Sequence, residues 1–188
     1  MHPAIDMRET LPPRRGRLQL ILILLVVIGP MLLATAMYQW RFWVPQARTY
    51  HGVLIGTGQT RAELGVQAEG GGWQLLVTAD TCAEQCRELV YLARQLQIAL
   101  GREAGRASHA LAVGEPLATD YAGQLRREYP QLAQLVLDRP RYAAFALQGA
   151  QLWIVDPLGH LVLRYPAGTP GKAVLEDLRL LLKLSRIG

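Results

Sequence analysis

Apolar residues follow two patterns along this chain. Near the N-terminus, Leu18–Tyr38 (LQLILILLVVIGPMLLATAMY) runs without a charged residue. At ~1.5 Å per residue this is about 30 Å, the thickness of a bilayer's hydrocarbon core, and it predicts one transmembrane helix. Gly29-Pro30 inside it is a kink site of the kind membrane helices tolerate. Downstream, the apolar residues come in short blocks. Trp73–Val77 is nearly continuous, which predicts a strand covered on both faces. Leu89, Leu92, Ala93, Leu96 and Leu100 recur at helical spacing, with Arg87, Glu88, Arg94 and Gln95 opposite, so a helix is predicted from Ala83 to about Leu100. His109–Val113 predicts a second strand, parallel to the first, because a helical crossover separates them. Ala118–Leu135 predicts another helix, with a break at Tyr129-Pro130.

The remaining blocks read as extended chain. Gly52–Gly56 and Ala62–Val66 predict an N-terminal hairpin, and Gly70-Gly71-Gly72 a loop. Ala143–Leu147, Gln151–Val155 and Leu161–Tyr165 predict extended segments, the last two joined by the turn Asp156–His160. Thr169-Pro170 opens a final helix that continues through Val174, Leu175, Leu178, Leu181 and Leu182 to Ile187. The order hairpin, β, α, β, α, β-hairpin, α predicts an α/β fold: a thioredoxin-like sandwich preceded by a single N-terminal transmembrane helix. The chain divides into a cytoplasmic tail (1–17), the transmembrane helix (18–38), a connector (39–50) and an exported thioredoxin-like domain (51–188).

Charge adds the orientation. Of the 188 residues, 51% are hydrophobic and the formal net charge is +5. Arg8, Arg14, Arg15 and Arg17 precede the apolar run, and only Arg41 and Arg48 follow closely. The positive-inside rule therefore places the N-terminus in the cytoplasm and the domain in the periplasm or an equivalent exported space, with the protein in the inner membrane. Trp40, Phe42 and Trp43 form an aromatic belt at the exit. Elsewhere the basic residues are dispersed and no aromatic-rich basic repeat occurs, which excludes nucleic acid as a partner. Ala34-Thr35-Ala36 has the form of a signal-peptidase site, so cleavage is the alternative, although the apolar run exceeds the usual ~7–15-residue signal core. Either way the domain meets an oxidising compartment in which a disulfide persists.

The only two cysteines, Cys82 and Cys86, lie where the first central strand turns into a helix. A helix N-terminus carries free N–H groups and partial positive charge, which stabilise a thiolate. The pair fits a redox couple or a shared metal site. In exchange chemistry, Cys82, nearer the edge of the turn, attacks and Cys86 resolves. Arg87 favours a thiolate; Asp80 and Glu84 oppose it. The third reading is a stable disulfide in a non-catalytic adaptor, since helical i and i+4 positions share a face within disulfide reach. Other signals are weaker. Gly70–Gly72 has no phosphate-binding motif after it, Asp120 and Asp138 have no carboxylate partner in sequence, and Trp153 and Tyr165 read as packing residues.

These elements resemble the Sco/SenC family, single-span thioredoxin-fold proteins that help assemble the CuA centre of cytochrome c oxidase. Trp73–Val77 leading into Thr81-Cys82-Ala83-Glu84-Gln85-Cys86 is similar to that family's strand and Cys-x-x-x-Cys turn. Trp153-Ile154-Val155-Asp156-Pro157-Leu158-Gly159 resembles its Tyr-Leu-Ile-x-Pro-x-Gly hairpin. The resemblance covers about residues 50–188. It implies a role in oxidase assembly, an oxidase subunit or another assembly factor as partner, and Cu(I) held by the Cys82 and Cys86 thiolates. The family's prolines after each cysteine are Ala83 and Arg87 here, and its histidine ligand falls near Gln148. An amide is a poor copper ligand beside imidazole. Strand directions put His109 and His160 at the far end of the sheet and His2 across the membrane, which leaves His51 as the one histidine within reach.

Overall fold

The computed structural model describes residues 14–40, 50–68 and 71–185. The chain falls into two compact units, Met1–Thr49 and Tyr50–Gly188. The expectations for the tail (1–13), for most of the connector with Phe42 and Trp43, for the Trp40 side chain, for Gly70 and for Ile187 lie outside the described residues. In the first unit, helix α1 (Arg14–Trp40) continues through Pro30. Its segment Gly16–Ala36 has a mean hydropathy of 2.6 and is long and apolar enough to cross a membrane. Leu20–Val27 and Met31–Leu33 are all exposed. An apolar surface on every side of a helix suits lipid rather than water.

The second unit is a six-stranded sheet in the order β1-β6-β5-β2-β3-β4. The strands are β1 (Val53–Leu54), β2 (Trp73–Ala79), β3 (Ala107–Val113), β4 (Ala133–Val136), β5 (Gln151–Val155) and β6 (Leu161–Pro166). β2, β3 and β4 run parallel; β5 pairs antiparallel with β2 and β6, and β1 antiparallel with β6. The helices are α2 (Glu84–Ala99), α3 (Thr119–Glu128), α4 (Arg139–Ala143) and α5 (Gly171–Leu184). A 3-10 turn over Gly101–Arg106 links α2 to β3. Every residue of β2 is buried, because both faces are covered. On one face Leu75, Val77, Leu111, Leu152 and Ile154 pack with Leu89, Val90, Ala93, Leu125, Leu178 and Leu182 of α2, α3 and α5. On the other, Leu76, Ala110, Ala112 and Trp153 pack with Leu64, Val66 and Tyr142.

Three predicted elements are corrected. The N-terminal hairpin does not form. Val53–Leu54 pairs with β6, and residues 61–65 form a turn that inserts Leu64 into the core, with Val66 bridged to Leu137. Gly65 sits there at φ +92, where a Cβ would lie 2.8 Å from the Asp138 carbonyl oxygen, so the turn is tied to α4 by a position only glycine fits. The helix predicted to Leu135 ends at Glu128, and Ala133–Val136 becomes the edge strand β4. Pro130 disfavours helical backbone in the residue before it, and Tyr129 is at φ −127, ψ 58. Finally, Ala143–Leu147 is not extended. Asp138 caps α4 by accepting from the Arg141 N–H, Pro140 falls in the first turn, and Ala143 ends the helix.

Candidate redox site

β2 delivers the chain to the site as a fully paired strand. Asp80 and Thr81 turn it, Cys82 follows, and Ala83 is the N-cap of α2. Alanine has no side-chain acceptor to offer, so the positive end of the helix carries no side-chain cap beside the sulfurs. Cys86 is the third residue of α2. Cys82 and Cys86 form a disulfide with a Cα–Cα separation of 5.1 Å. The two sulfurs differ in access. Cys86 is 1% exposed inside the first core cluster, whereas Cys82 is half-buried at its edge.

A groove of about 360 Å³ opens beside the bridge. Asp80, Gln85 and Cys86 line one side, and Tyr142, Leu147 and Gly149 another. Gly149 approaches α2 closely: at φ +66, a Cβ would meet Gln85 Oε1 at 2.9 Å. The loop holding Gln148, where the resemblance seeks a histidine, thus borders the cysteine turn, with Gln148 itself exposed. Beneath the groove, Trp153 Nε1 donates to Thr78 Oγ1 at 2.8 Å, and Thr78 Oγ1 donates to the Tyr142 hydroxyl at 3.1 Å. Burial pushes the Tyr142 phenol up, so it stays protonated.

Two of the charges seen in sequence, Arg87 and Asp80, are engaged. Arg87 stacks over the Tyr121 ring at 4.6 Å. Burial, with Tyr129 as a lesser cause, pushes the Tyr121 phenol up to about 12. Asp80 is ion-paired with Arg139, whose Nε lies 2.7 Å from Asp80 Oδ1.

None of the described histidines joins the cysteines. His51 sits one residue before Gly52 and so falls level with Pro166, which pairs with Gln151, the partner of Thr78. That is the right end of the sheet, but three strands across, about 14 Å. His51 is also tied down. Its backbone N–H donates to Asp177 Oδ2 at 2.8 Å and its Nδ1 lies 3.1 Å from Oδ1. His160 sits past the β5–β6 turn with Nδ1 3.0 Å from Asp156 Oδ2. His109 stands opposite Leu75, near the start of β2. Among the described residues, no group of three His, Cys, Asp or Glu side chains is placed to hold a metal ion.

Sequence reading missed Asp177. This carboxylate is 3% exposed and also accepts from the Gly52 N–H at 3.1 Å and the Tyr165 hydroxyl at 2.8 Å. It anchors the first described residues after the connector to α5. Burial and the Asp177 carboxylate push the Tyr165 phenol upward, which keeps it a donor. The signal was present: Asp177 stands three residues after Val174 and four before Leu181, on the apolar face of α5.

His109 has a measurable consequence. It is 3% exposed, and neither ring nitrogen has a hydrogen-bond partner. Burial first and Arg94 second lower its pKa below 6.5. An unfolded chain therefore binds more protons than the folded one just below pH 6.5, and stability rises with pH there. Stability is expected to be complete above about pH 6.5 and to fall as pH drops below it, by up to ~1.4 kcal/mol per unit. Urea unfolding of the full-length protein in detergent at pH 7.5 and 5 should show this loss, reduced in His109→Gln. An equal loss in both proteins would assign it elsewhere.

The fold and the site together define a thioredoxin-fold protein with an apolar N-terminal helix and a paired-cysteine turn. The family is identified by two sequence models. Residues 73–185, more than half the chain, match the transmembrane-like, thioredoxin-like, C-terminal domain, and residues 12–41 match the transmembrane-like, N-terminal domain. The chain belongs to this family. No curated protein matches the sequence. Among solved structures, copper-bound ScoI of Arabidopsis thaliana is similar at 8% identity, over 62% of this chain and 87% of that chain, with a TM-score of 0.48. Copper-bound ScoI of Bradyrhizobium japonicum matches at 15% identity, 59% and 85% coverage and a TM-score of 0.43. A putative thiol:disulfide interchange protein DsbE of Chlorobium tepidum matches at 14% identity, 61% and 82% coverage and a TM-score of 0.45. Sco proteins and thiol:disulfide interchange proteins thus both stand among the similar structures.

Proposed function

We propose that this protein is a membrane-anchored thiol–disulfide exchange protein acting through Cys82 and Cys86. The observation that carries the reading is the unequal exposure of two bridged cysteines at an uncapped helix N-terminus: Cys82 is half-buried at the edge of the core and Cys86 is 1% exposed within it. Exchange needs one sulfur that a partner can reach and a second held in reserve. In the reducing direction, the Cys82 thiolate attacks one sulfur of a partner disulfide. That bond breaks and the partner's other sulfur leaves as a thiolate. Cys86, its proton given to water, then attacks the Cys82 sulfur and closes the bridge, releasing the partner's first sulfur. Two electrons pass to the partner. In reverse, a partner dithiol reopens the bridge and is itself oxidised.

The process served, in this reading, is cytochrome c oxidase assembly, with an exported oxidase subunit or assembly factor as the partner. The Sco/SenC-like turn and the Trp153–Gly159 hairpin support it. The arginines before Leu18 support a cytoplasmic N-terminus, and the disulfide fits a domain (51–188) in the periplasm or an equivalent space. Copper handling is the second reading. Reduced, the two sulfurs form a two-thiolate donor set of the soft kind that suits Cu(I) as cargo. The described histidines do not complete a third position.

Incubation of the full-length protein in detergent with an excess of a reduced dithiol protein should yield two alkylatable thiols per chain, read as a mass shift. No gain would contradict exchange. Cu(I) binding by the reduced protein no tighter than by the Cys82→Ser/Cys86→Ser variant would remove the copper reading.

A further inference from the structure

A chain of three hydrogen-bonding side chains ends at the groove lined by Cys86. The Trp153 indole N–H can only donate, and it gives to Thr78 Oγ1 at 2.8 Å. Thr78 is fully buried, and its own proton goes to the Tyr142 hydroxyl oxygen at 3.1 Å. Tyr142 has then accepted one bond, and its own proton meets no acceptor among the described residues. Turning the Thr78–Tyr142 bond round would only strand the Thr78 proton instead, inside the core. The proton left over therefore belongs to Tyr142, which is 6% exposed and lines the groove. Burial keeps this phenol protonated. A buried hydroxyl is rarely left without a partner for its proton, so its acceptor comes from outside the protein.

The same groove frames the cysteine turn. Thr81 and Ala83, the residues on either side of Cys82, line it together with Cys86, the bridge partner. Its wall carries the Asp80 and Glu84 carboxylates and, among the described residues, no basic side chain. Asp80 is paired with Arg139, whereas Glu84 enters no ion pair among the described residues. Such a wall disfavours an anionic occupant and suits a neutral or basic one. The geometry points to Tyr142 as a binding residue for the exchange partner: its hydroxyl donates to a backbone carbonyl of an extended partner segment, which lies in the groove with its cysteine at the turn and a basic side chain toward Glu84. Every protein cysteine brings backbone carbonyls with it, and a carbonyl oxygen only accepts, which is the complement of the unanswered proton. The assignment rests on the exchange reading, because the segment is that of the thiol partner.

The probes are the homodisulfides of two capped tetrapeptides, Gly-Lys-Cys-Gly and Gly-Glu-Cys-Gly, and 2-hydroxyethyl disulfide, which has no carbonyl. Each oxidises the reduced full-length protein in detergent, and second-order rates are read by acid quench, alkylation and mass shift. The bond to a bound carbonyl replaces one to solvent, so its net worth is modest. Tyr142→Phe is expected to slow the lysine peptide about fivefold relative to 2-hydroxyethyl disulfide. A purely structural role would slow both reagents alike and leave that ratio unchanged. Glu84→Gln, at an exposed position, should lower the preference for the lysine over the glutamate peptide about threefold, and it covers the case in which Tyr142→Phe fails to fold. An unchanged ratio in Tyr142→Phe overturns the Tyr142 assignment, an unchanged preference in Glu84→Gln overturns the placement of the segment, and both leave exchange intact. Reduced protein that none of the three disulfides converts to the bridged form overturns the exchange reading itself.

Discussion

Cys86→Ser is expected to accumulate a mixed disulfide on Cys82, and Cys82→Ser none. The asymmetry follows from burial. Cys82 is half-buried at the edge of the first core cluster, where a partner sulfur can reach it, while Cys86 is 1% exposed inside that cluster. A mixed disulfide at Cys82 is normally short-lived, because Cys86 lies within bridging distance, with its Cα 5.1 Å away. Without that second sulfur, the intermediate waits for a thiol from solution. Full-length Cys86→Ser protein incubated with oxidised glutathione should gain one glutathione per chain on intact mass, and Cys82→Ser should gain little. Equal modification of the two variants would remove the assignment of attacking and resolving sulfurs.

The second large effect concerns stability. Asp177→Ala is expected to cost about 3–5 kcal/mol, a large share of the 5–15 kcal/mol typical of a domain. The carboxylate accepts from two backbone N–H groups, the Tyr165 hydroxyl and the His51 ring. Hydrogen bonds to a charged acceptor are worth roughly 1.5–3 kcal/mol each. The loss is smaller than their sum, because the freed His51–Gly52 segment can turn to water, whereas the Tyr165 hydroxyl stays buried. Gly52 packs directly on the Tyr165 ring, where a Cβ would come within 2.6 Å, so the segment and the ring separate together. Thermal unfolding should fall by roughly 10 °C, and proteolysis should move to residues near Tyr50. A loss under about 1 kcal/mol would mean that the clamp is not holding the segment.

The parts legible in sequence were those that local pattern determines. The charge-free run of Leu18–Tyr38 and the strand-to-helix turn at Cys82 are set by composition and short-range order. β2 and α2 declared themselves because one is apolar throughout and the other carries Leu89, Ala93 and Leu96 at helical spacing. β4 and α4 were lost for a physical reason. Leu132 and Leu135 continue a helical spacing past Pro130, and only pairing with β3 makes Ala133–Val136 a strand. The Asp138-Arg139-Pro140 start signal and the helix-favouring alanines after it were present, but Ala143–Leu147 is also a short continuous apolar run, which fits an extended segment equally well. Residues 62–66 alternate like a strand, yet Gly65 needs φ +92, which bends them into a turn.

At the site, sequence supplied the two sulfurs and their separation from His109 and His160, but it left His51 within reach, and only the strand order sets that histidine three strands away. It could not supply pairings made across the fold. His51 meets Asp177 over 126 residues and Asp80 meets Arg139 over 59. Charges that read as opposing a thiolate, such as Asp80, turn out to be engaged by partners that no local spacing announces.

The reduction potential of the Cys82–Cys86 bridge, measured on full-length protein in detergent by equilibration with glutathione buffers at pH 7, bears most directly on its role. Exchange proteins fall at about −120 to −270 mV, and structural disulfides of exported proteins below about −300 mV. The expected result is a potential within the exchange range. A bridge that stays closed in buffers poised below about −300 mV would contradict a working redox site and leave the disulfide as a structural staple.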